Sequence, residues 1–376
     1  MKISVLCFDL ADNAAGRAVL LAQLLEPLGA VEVVGPCYGD GIWKPVASEG
    51  IACRTVPGGK LARFALSLPA LLRLADGDLL YASKPRLASA GIGHLKRLGA
   101  RRPLLLDVDD WEVGFFRRGG FWGTVGRALN VGNPNGLPWT WLMEGLVPAA
   151  DAVTVASRFL ERRFGGTLIP HVRDTDVWKP ECADPAEARR RIGADKERVV
   201  MFLGTPRAYK GVEDLCRAVG RLGRPDLALA LVGTEPGSAT GRDLTERYPG
   251  IRLVERIPFR DVPRYLVAAD VVVIPQRDTP DTLGQTPAKL FDAMALARPI
   301  VSTRVSMIPE ILDGCGILVP PGDVAALALA IGWLLDHPAE AAALGMKARA
   351  RCVAEYSFAA ARSRLFPLVE RVMGRR

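Results

Sequence analysis

Residues 269–321 read ADVVVIPQRDTPDTLGQTPAKLFDAMALARPIVSTRVSMIPEILDGCGILVPP, and the order of elements in this run decides the fold. A short apolar strand, Val271 to Ile274, feeds a polar loop that ends in Thr286-Pro287. The spacing then predicts a helix carrying Lys289 and Asp292 near its start, with Thr286 as its N-cap and Pro287 in the first helical position, where a missing N–H costs nothing. The tip of such a helix has unpaired N–H groups and a partial positive charge, which suits phosphate. A second strand, Pro299 to Thr303, follows at once. This succession is how an α/β domain builds a nucleotide site at the carboxyl ends of its strands.

Working outward, strand-like and helix-like segments alternate along the chain, the pattern of parallel sheets covered by helices. In the first half strands are expected near 2–8, 31–35, 51–56, 78–82, 103–108, 152–156 and 167–170, with helices such as Arg17–Leu28 and Leu61–Leu74 between them. A second series falls near 198–204, 227–233, 251–255, 270–274, 299–303 and 316–319, followed by a long helical tail after Asp323. The polar, proline-bearing stretch 178–197 separates the series and is the expected hinge. The reading is α/β: two Rossmann-like domains, 1–178 and 179–357, facing a cleft, with a helix 358–376 returning to the first. Neither series has a G-x-G-x-x-G after its first strand, which argues against a dinucleotide dehydrogenase.

At 376 residues the chain is long enough for two domains, and 49% hydrophobic residues exclude a disordered or fibrous protein. A net charge of +8 suits an anionic ligand, an acidic membrane surface or nucleic acid without choosing among them. The seven scattered cysteines form no C-x-x-C pair and read as reduced core residues. The apolar run after Met1 is too short for a signal peptide, and nothing approaches the ~18–20 apolar residues that span a bilayer. A cytoplasmic protein, at most peripheral on the inner face of the membrane, is expected.

The second half resembles the retaining glycosyltransferases of family 4, which have the two-domain GT-B fold and use nucleotide-sugar donors. The matching pieces are FLGTPRAYKGVEDLCRAV (202–219), LALVGTEPG (229–237), VPRYLVAADVVVIP (262–275), TPAKLFDAMALARPIVST (286–303), IPEIL (308–312) and GILVPPGD (316–323). The first half matches more loosely, through Ala15-Gly16-Arg17, ADAVTVASRFL (150–160) and HVRDTDVWKP (171–180).

The resemblance implies transfer of a sugar from a nucleotide diphosphate to a hydroxyl of a saccharide or lipid-linked acceptor, with retention. Lys210 sits at the family's lysine position for the leaving diphosphate, where aimed positive charge in a dry site is worth ~3–4 kcal/mol. The usual arginine position holds Thr205, and Arg207 is the expected replacement. Thr286, Pro287, Ala288 and Lys289 offer the phosphate-facing helix end, Asp292 the ribose contact, and the backbone of Arg256 and Ile257 the base contact. The family's first glutamate position falls on Gly284, with Asp278 and Asp281 as nearby substitutes. A plain salt bridge between Lys289 and Asp292 on an exposed helix face is the structural alternative.

In the first half Gly16 implies backbone approach to the donor, and Arg17 an acceptor or phosphate contact. Where many family members carry a histidine, LLLDVDDWE (104–112) places Asp109 and Asp110, which suit orienting the acceptor hydroxyl or taking its proton, or else a cap. Lys84 and Trp111 join the acceptor set. Asp107-x-Asp109 imitates a metal-binding D-x-D, but a one-domain GT-A fold leaves the second half unexplained, so no metal and no cofactor is expected. Four of seven tryptophans (Trp111, Trp122, Trp139, Trp141), with Phe115, Phe116, Phe121, Arg117 and Arg118, crowd 111–141. Such a stretch suits a membrane interface, sugar stacking or internal packing; no nucleic-acid module surrounds it. The basic amphipathic segment 60–75, with Lys60, Arg63 and Arg73, adds to the membrane reading. Two alternatives stay open: a nucleotide-sugar epimerase on the same fold, and a catalytically degenerate binding protein.

Overall fold

The computed structural model describes residues 1–116, 120–280 and 282–374. Arg117, Arg118 and Asp281 lie outside the described residues, as do the side chains of Phe121 and Trp122. The chain divides into two units, Met1–Pro170 with Ala361–Arg376, and His171–Ala360.

The first unit holds β1 (Lys2–Leu6), β2 (Ala30–Cys37), β3 (Ala52–Pro57), β4 (Leu79–Ser83), β5 (Leu104–Val108), β6 (Ala152–Val155) and β7 (Thr167–Leu168). They form one parallel sheet in the order β3-β2-β1-β4-β5-β6-β7. The second unit holds β8 (Arg198–Leu203), β9 (Leu227–Val232), β10 (Arg252–Val254), β11 (Val271–Ile274), β12 (Ile300–Thr303) and β13 (Ile317–Val319), parallel in the order β10-β9-β8-β11-β12-β13. In both sheets the order reverses beside the first strand, between β1 and β4 and between β8 and β11. Ligands of such sheets bind outside the carboxyl ends of the strands at that point. The central strands are largely apolar because helices cover both faces: Leu79–Ala82 and Val271–Ile274 are buried at every position.

The expected strands and the helix Leu61–Leu74 are all present, and the tail resolves into helices Val324–Asp336, Pro338–Glu355 and Phe358–Met373. The unit boundary, however, falls at Pro170/His171 and not in 178–197. Residues 171–178 are tied into the second unit: the Arg173 N–H donates to Tyr356 O (3.0 Å), the Trp178 ring packs tilted against Phe259 (5.0 Å), and Arg349 donates to Trp178 O (2.9 Å). Stretch 178–197 itself contains the helix Pro185–Arg191, capped by the Asp184 carboxylate on the amides of Ala186 and Glu187. The last helix joins the first unit from Ala361 on, where Arg362 donates to Leu24 O and Gln23 O, each at 3.0 Å. All seven cysteines are free; Cys7, Cys216, Cys315 and Cys352 are buried, while Cys182 is exposed.

Candidate functional site

In the second unit the carboxyl end of β8 turns at Gly204, whose φ of +113° only glycine adopts readily. A Cβ on Gly204 would lie 3.3 Å from Lys289 Nζ and 3.9 Å from Lys210 Nζ, so two ammonium groups meet over one backbone atom. Lys210 comes from the loop after β8, and its Nζ donates to Thr205 O at 2.9 Å. Lys289 comes from the helix Ala288–Ala295 after β11, its Nζ 3.8 Å above the Phe202 ring. The two lysines therefore straddle the switch point of the sheet. Among the described residues neither is paired with a carboxylate. Burial, with Arg207 nearby, pulls the Lys210 ammonium down to about 8. Burial and Lys210 itself hold Lys289 well below its ordinary value. Asp292 opposes the Lys289 shift from a distance, but two close cations with no ion pair of their own among the described residues make a seat that an anion completes.

The helix end adds donors. Its first turn closes with the Leu290 N–H on Pro287 O (3.0 Å), which leaves the amides of Ala288 and Lys289 at the tip. Pro287, not Thr286, is the capping residue, and no side chain caps the helix. Thr286 lies one position too early, and its Oγ1 is buried without a hydrogen-bond partner among the described residues. Thr234 Oγ1, after β9, and Gln276 Nε2, after β11, are buried and unpartnered in the same way. Native interiors rarely leave such groups unpaired; Thr286 before the helix that carries Lys289, with Thr234 and Gln276 each two residues beyond its strand, marks a polar ligand site.

Other expected members take different places. Asp292 is not paired with Lys289 on an exposed face; it is buried and bonded to Arg173 Nε. Arg207 is exposed and reaches Lys210 only through its field. Lys289, not Arg207, is the cation beside Lys210, because Lys289 projects from the helix end while Arg207 sits on the outer turn of the loop. Arg256 follows β10 at the sheet edge, with its N–H on Glu235 Oε1 (3.4 Å), and Ile257 is half-buried. Gly284 is buried and Asp278 exposed.

In the first unit the switch point carries a closed charge network. Arg17, expected to touch acceptor, is instead fully buried. It donates Nε and Nη2 to Asp107 (2.9 and 2.8 Å), Nη1 to Pro170 O (3.1 Å) and Nη2 to Ile169 O (2.7 Å). With its donors spent, it holds the sheet to the chain end of the unit. Asp107, the first residue of the D-x-D pair, is bonded to Arg17 and to the Thr154 hydroxyl (2.7 Å). Lys84, at a left-handed φ of +70°, meets Asp110, Glu112 (3.1 Å) and Asp109 (3.5 Å). Burial opposes its charge, but these carboxylates outweigh it and hold the ammonium well above its ordinary value. Strain of this kind persists where the surroundings over-determine it. Arg86 completes the network on Glu112 and Thr140 (2.8 Å). Asp110 is the least enclosed of the three carboxylates, and burial pushes its pKa up against the pull of Lys84.

Trp111, expected to stack on a sugar, is a core residue: it packs against Phe159 (5.6 Å) with Arg163 over its ring (4.8 Å). Gly16 lies inside the helix Ala14–Leu25, where a Cβ would come 3.3 Å from the Trp43 ring. Sequence reasoning missed Arg173, Arg86, Thr234 and Gln276. Arg173 and Asp292 lie 119 positions apart, and no local pattern announces such a pair.

Residues 197–337 match the family model of glycosyl transferases group 1. The match lies within the second unit. The chain is 32% identical over 244 residues to the GDP-mannose-dependent alpha-(1-6)-phosphatidylinositol monomannoside mannosyltransferase of Mycolicibacterium smegmatis, covering 60% of this chain and 63% of that protein. It spans less than two thirds of the length of curated relatives that it matches. Among solved structures it is similar to sucrose-phosphate synthase from Thermosynechococcus elongatus (TM-score 0.75, 21% identity, all of both chains). It is also similar to Anabaena HepE in complex with UDP and glucose (TM-score 0.77, 18% identity, 98% and 99% of the chains). The fold is that of these GT-B proteins.

Proposed function

We propose that this protein is a retaining glycosyltransferase that moves a sugar from a nucleotide-diphosphate donor to a hydroxyl of a saccharide or lipid-linked acceptor, in cell-surface polysaccharide or glycolipid synthesis. The observation that carries the reading is the convergence of Lys210 and Lys289 over Gly204, beside a helix tip and an unpartnered Thr286 hydroxyl. As the anomeric C–O bond to the diphosphate breaks, charge grows on the leaving phosphate, and these groups are aimed at it. The acceptor hydroxyl attacks from the leaving group's own face, the new glycosidic C–O bond forms, and the hydroxyl proton passes to a departing phosphate oxygen. Asp110, with Asp109 behind it, positions the acceptor; Asp292 holds the ribose, and the backbone at Arg256 and Ile257 meets the base. Two lysines supply the charge that a divalent ion supplies elsewhere, so turnover is expected to persist in a chelator.

A peripheral site of action on the inner face of the membrane, in the cytoplasm, fits the first unit's surface. Leu66, Leu98, Leu129 and Trp141 are exposed, Lys60, Arg63 and Arg73 lie on or beside the helix Leu61–Leu74, and residues 113–143 contain no acidic side chain. Among the described residues no single helix is long and apolar enough to cross a membrane. Incubation with UDP-, GDP- and dTDP-sugars, with and without acceptor extracts, tests the reading. An acceptor-dependent glycoside product supports transfer. Interconversion of the donor sugar alone supports an epimerase, and no donor binding or cleavage supports a non-catalytic protein.

A further inference from the structure

Arg173 has no part in the chemistry above, yet its side chain is among the most constrained in the second unit. Its own backbone is fixed by the Tyr356 O and Phe358 N–H bonds (3.0 and 2.9 Å). Its guanidinium donates Nε to Asp292 Oδ1, Nη1 to Val172 O (2.6 Å) and Nη2 to Ala288 O (3.4 Å). The rings of Phe259 and Trp178 lie 4.7 and 5.3 Å from its central carbon. Ala288 and Asp292 are one turn apart, so a single fork grips the phosphate-facing helix at its first residue and at its carboxylate. Arg173 and Asp292 are each 3% exposed.

The carboxylate is left with one occupied oxygen. Among the described residues Asp292 Oδ2 accepts no hydrogen bond. Burial pushes the Asp292 carboxyl up, and Arg173 is the strongest opposing influence, ahead of His171 and Lys289; Cys352 also faces it. A planar fork that takes one carboxylate oxygen leaves the other at a fixed angle, which a point charge does not do.

We propose that Arg173 is a positioning residue for nucleotide selection: by occupying Asp292 Oδ1 it presents Oδ2, held at a fixed angle, to the pentose hydroxyls of the donor. This role rests on Asp292 as the ribose contact. A carboxylate accepts from both hydroxyls of a diol, whereas a neutral carboxyl loses one of those acceptor positions to its own proton. Ligands without pentose hydroxyls leave this oxygen of a largely buried carboxylate unpaired and bind less tightly.

The test is calorimetric titration of UDP and GDP, and of their 2′,3′-dideoxy counterparts, into wild type, Arg173→Met and Arg173→Lys at pH 6, 7 and 8. Wild type is expected to prefer the hydroxylated ligand by ~10–100-fold. Arg173→Met is expected to lose most of that preference at pH 6 and to regain it as pH rises, because the carboxyl must shed its proton unaided. Lys289 acts on the diphosphate of both ligands, so its titration cancels in the ratio. Arg173→Lys keeps a charge but loses the fork, and lowers the preference without a pH trend. An unchanged preference in whichever variant folds overturns the role of Arg173. A wild type that binds neither ligand overturns instead the nucleotide reading, and this role falls with it.

Discussion

Lys210 Nζ and Lys289 Nζ both lie within 4 Å of where a side chain on Gly204 would begin, although the two residues come from opposite flanks of the sheet's switch point. Lys210 holds the Lys289 ammonium below its ordinary value, and an anion between the two relieves that. If that anion is the leaving diphosphate, Lys210→Ala and Lys289→Ala each lower kcat/KM for donor by about 10²–10³-fold, as loss of one transition-state donor does. The double variant falls by less than the product, since the pair acts on one group. Steady-state donor cleavage checks both statements.

The pH dependence follows from the same pair. In the free protein Lys210 loses its proton near 8, and Lys289 at a lower pH than an ordinary lysine. A diphosphate favours the charged form, so its affinity is expected to fall as pH rises through about 8, and complex formation near that pH takes up protons. Titration calorimetry in buffers of different ionisation enthalpy reads the uptake directly. A proton release on binding contradicts the assignment.

Gly211 is the turn that delivers Lys210. Its φ is +66°, and a Cβ there would fall 1.9 Å from Pro275 O, far inside contact. Gly211→Ala is expected to cost more than the ~1 kcal/mol of a strained turn alone and to weaken nucleoside diphosphate binding, because the loop must move away from β11. Thermal unfolding and ligand titration on one sample check both effects.

The sequence carries the architecture far better than it carries the wiring. Apolar runs such as Val271–Ile274, the punctuation at Gly204 and Gly233, and the proline before Ala288 specify strands, turns and a helix start through local chemistry. They place Lys210 in the loop after β8 and Lys289 at the start of the helix after β11, which is why the approach of these two residues was legible. Arg17 and Trp111 misled because a cation or an indole after a strand end looks the same whether it meets ligand or core. Only tertiary partners distinguish the cases: Asp107 is 90 positions from Arg17, and Phe159 lies 48 beyond Trp111. The unit boundary moved for the same reason, since the pairing of Arg173 with Tyr356 and Phe358 has no local signature.

Arg17 is therefore expected to report on stability and not on acceptor affinity. Arg17→Met leaves Asp107 buried without its partner and costs about 3–5 kcal/mol. Chemical denaturation measures this; a variant of native stability with a raised acceptor KM restores the discarded reading.

Asp110 separates the acceptor from the donor half of the reaction. Asp110→Asn keeps its volume and removes the carboxylate that meets Lys84. It is expected to slow transfer to acceptor by about 10²-fold or more, with nucleoside diphosphate affinity unchanged. Equal losses in both measurements place the residue outside the acceptor site.

The most direct measurement is calorimetric titration of UDP and GDP, and of uridine and guanosine, into wild type and the Lys210→Ala/Lys289→Ala double variant. A diphosphate seat over Gly204 requires that wild type bind one diphosphate at least ~100-fold more tightly than its nucleoside, and that the double variant lose this margin while its nucleoside affinity stays constant. A margin that survives removal of both lysines, or one absent from wild type, contradicts it.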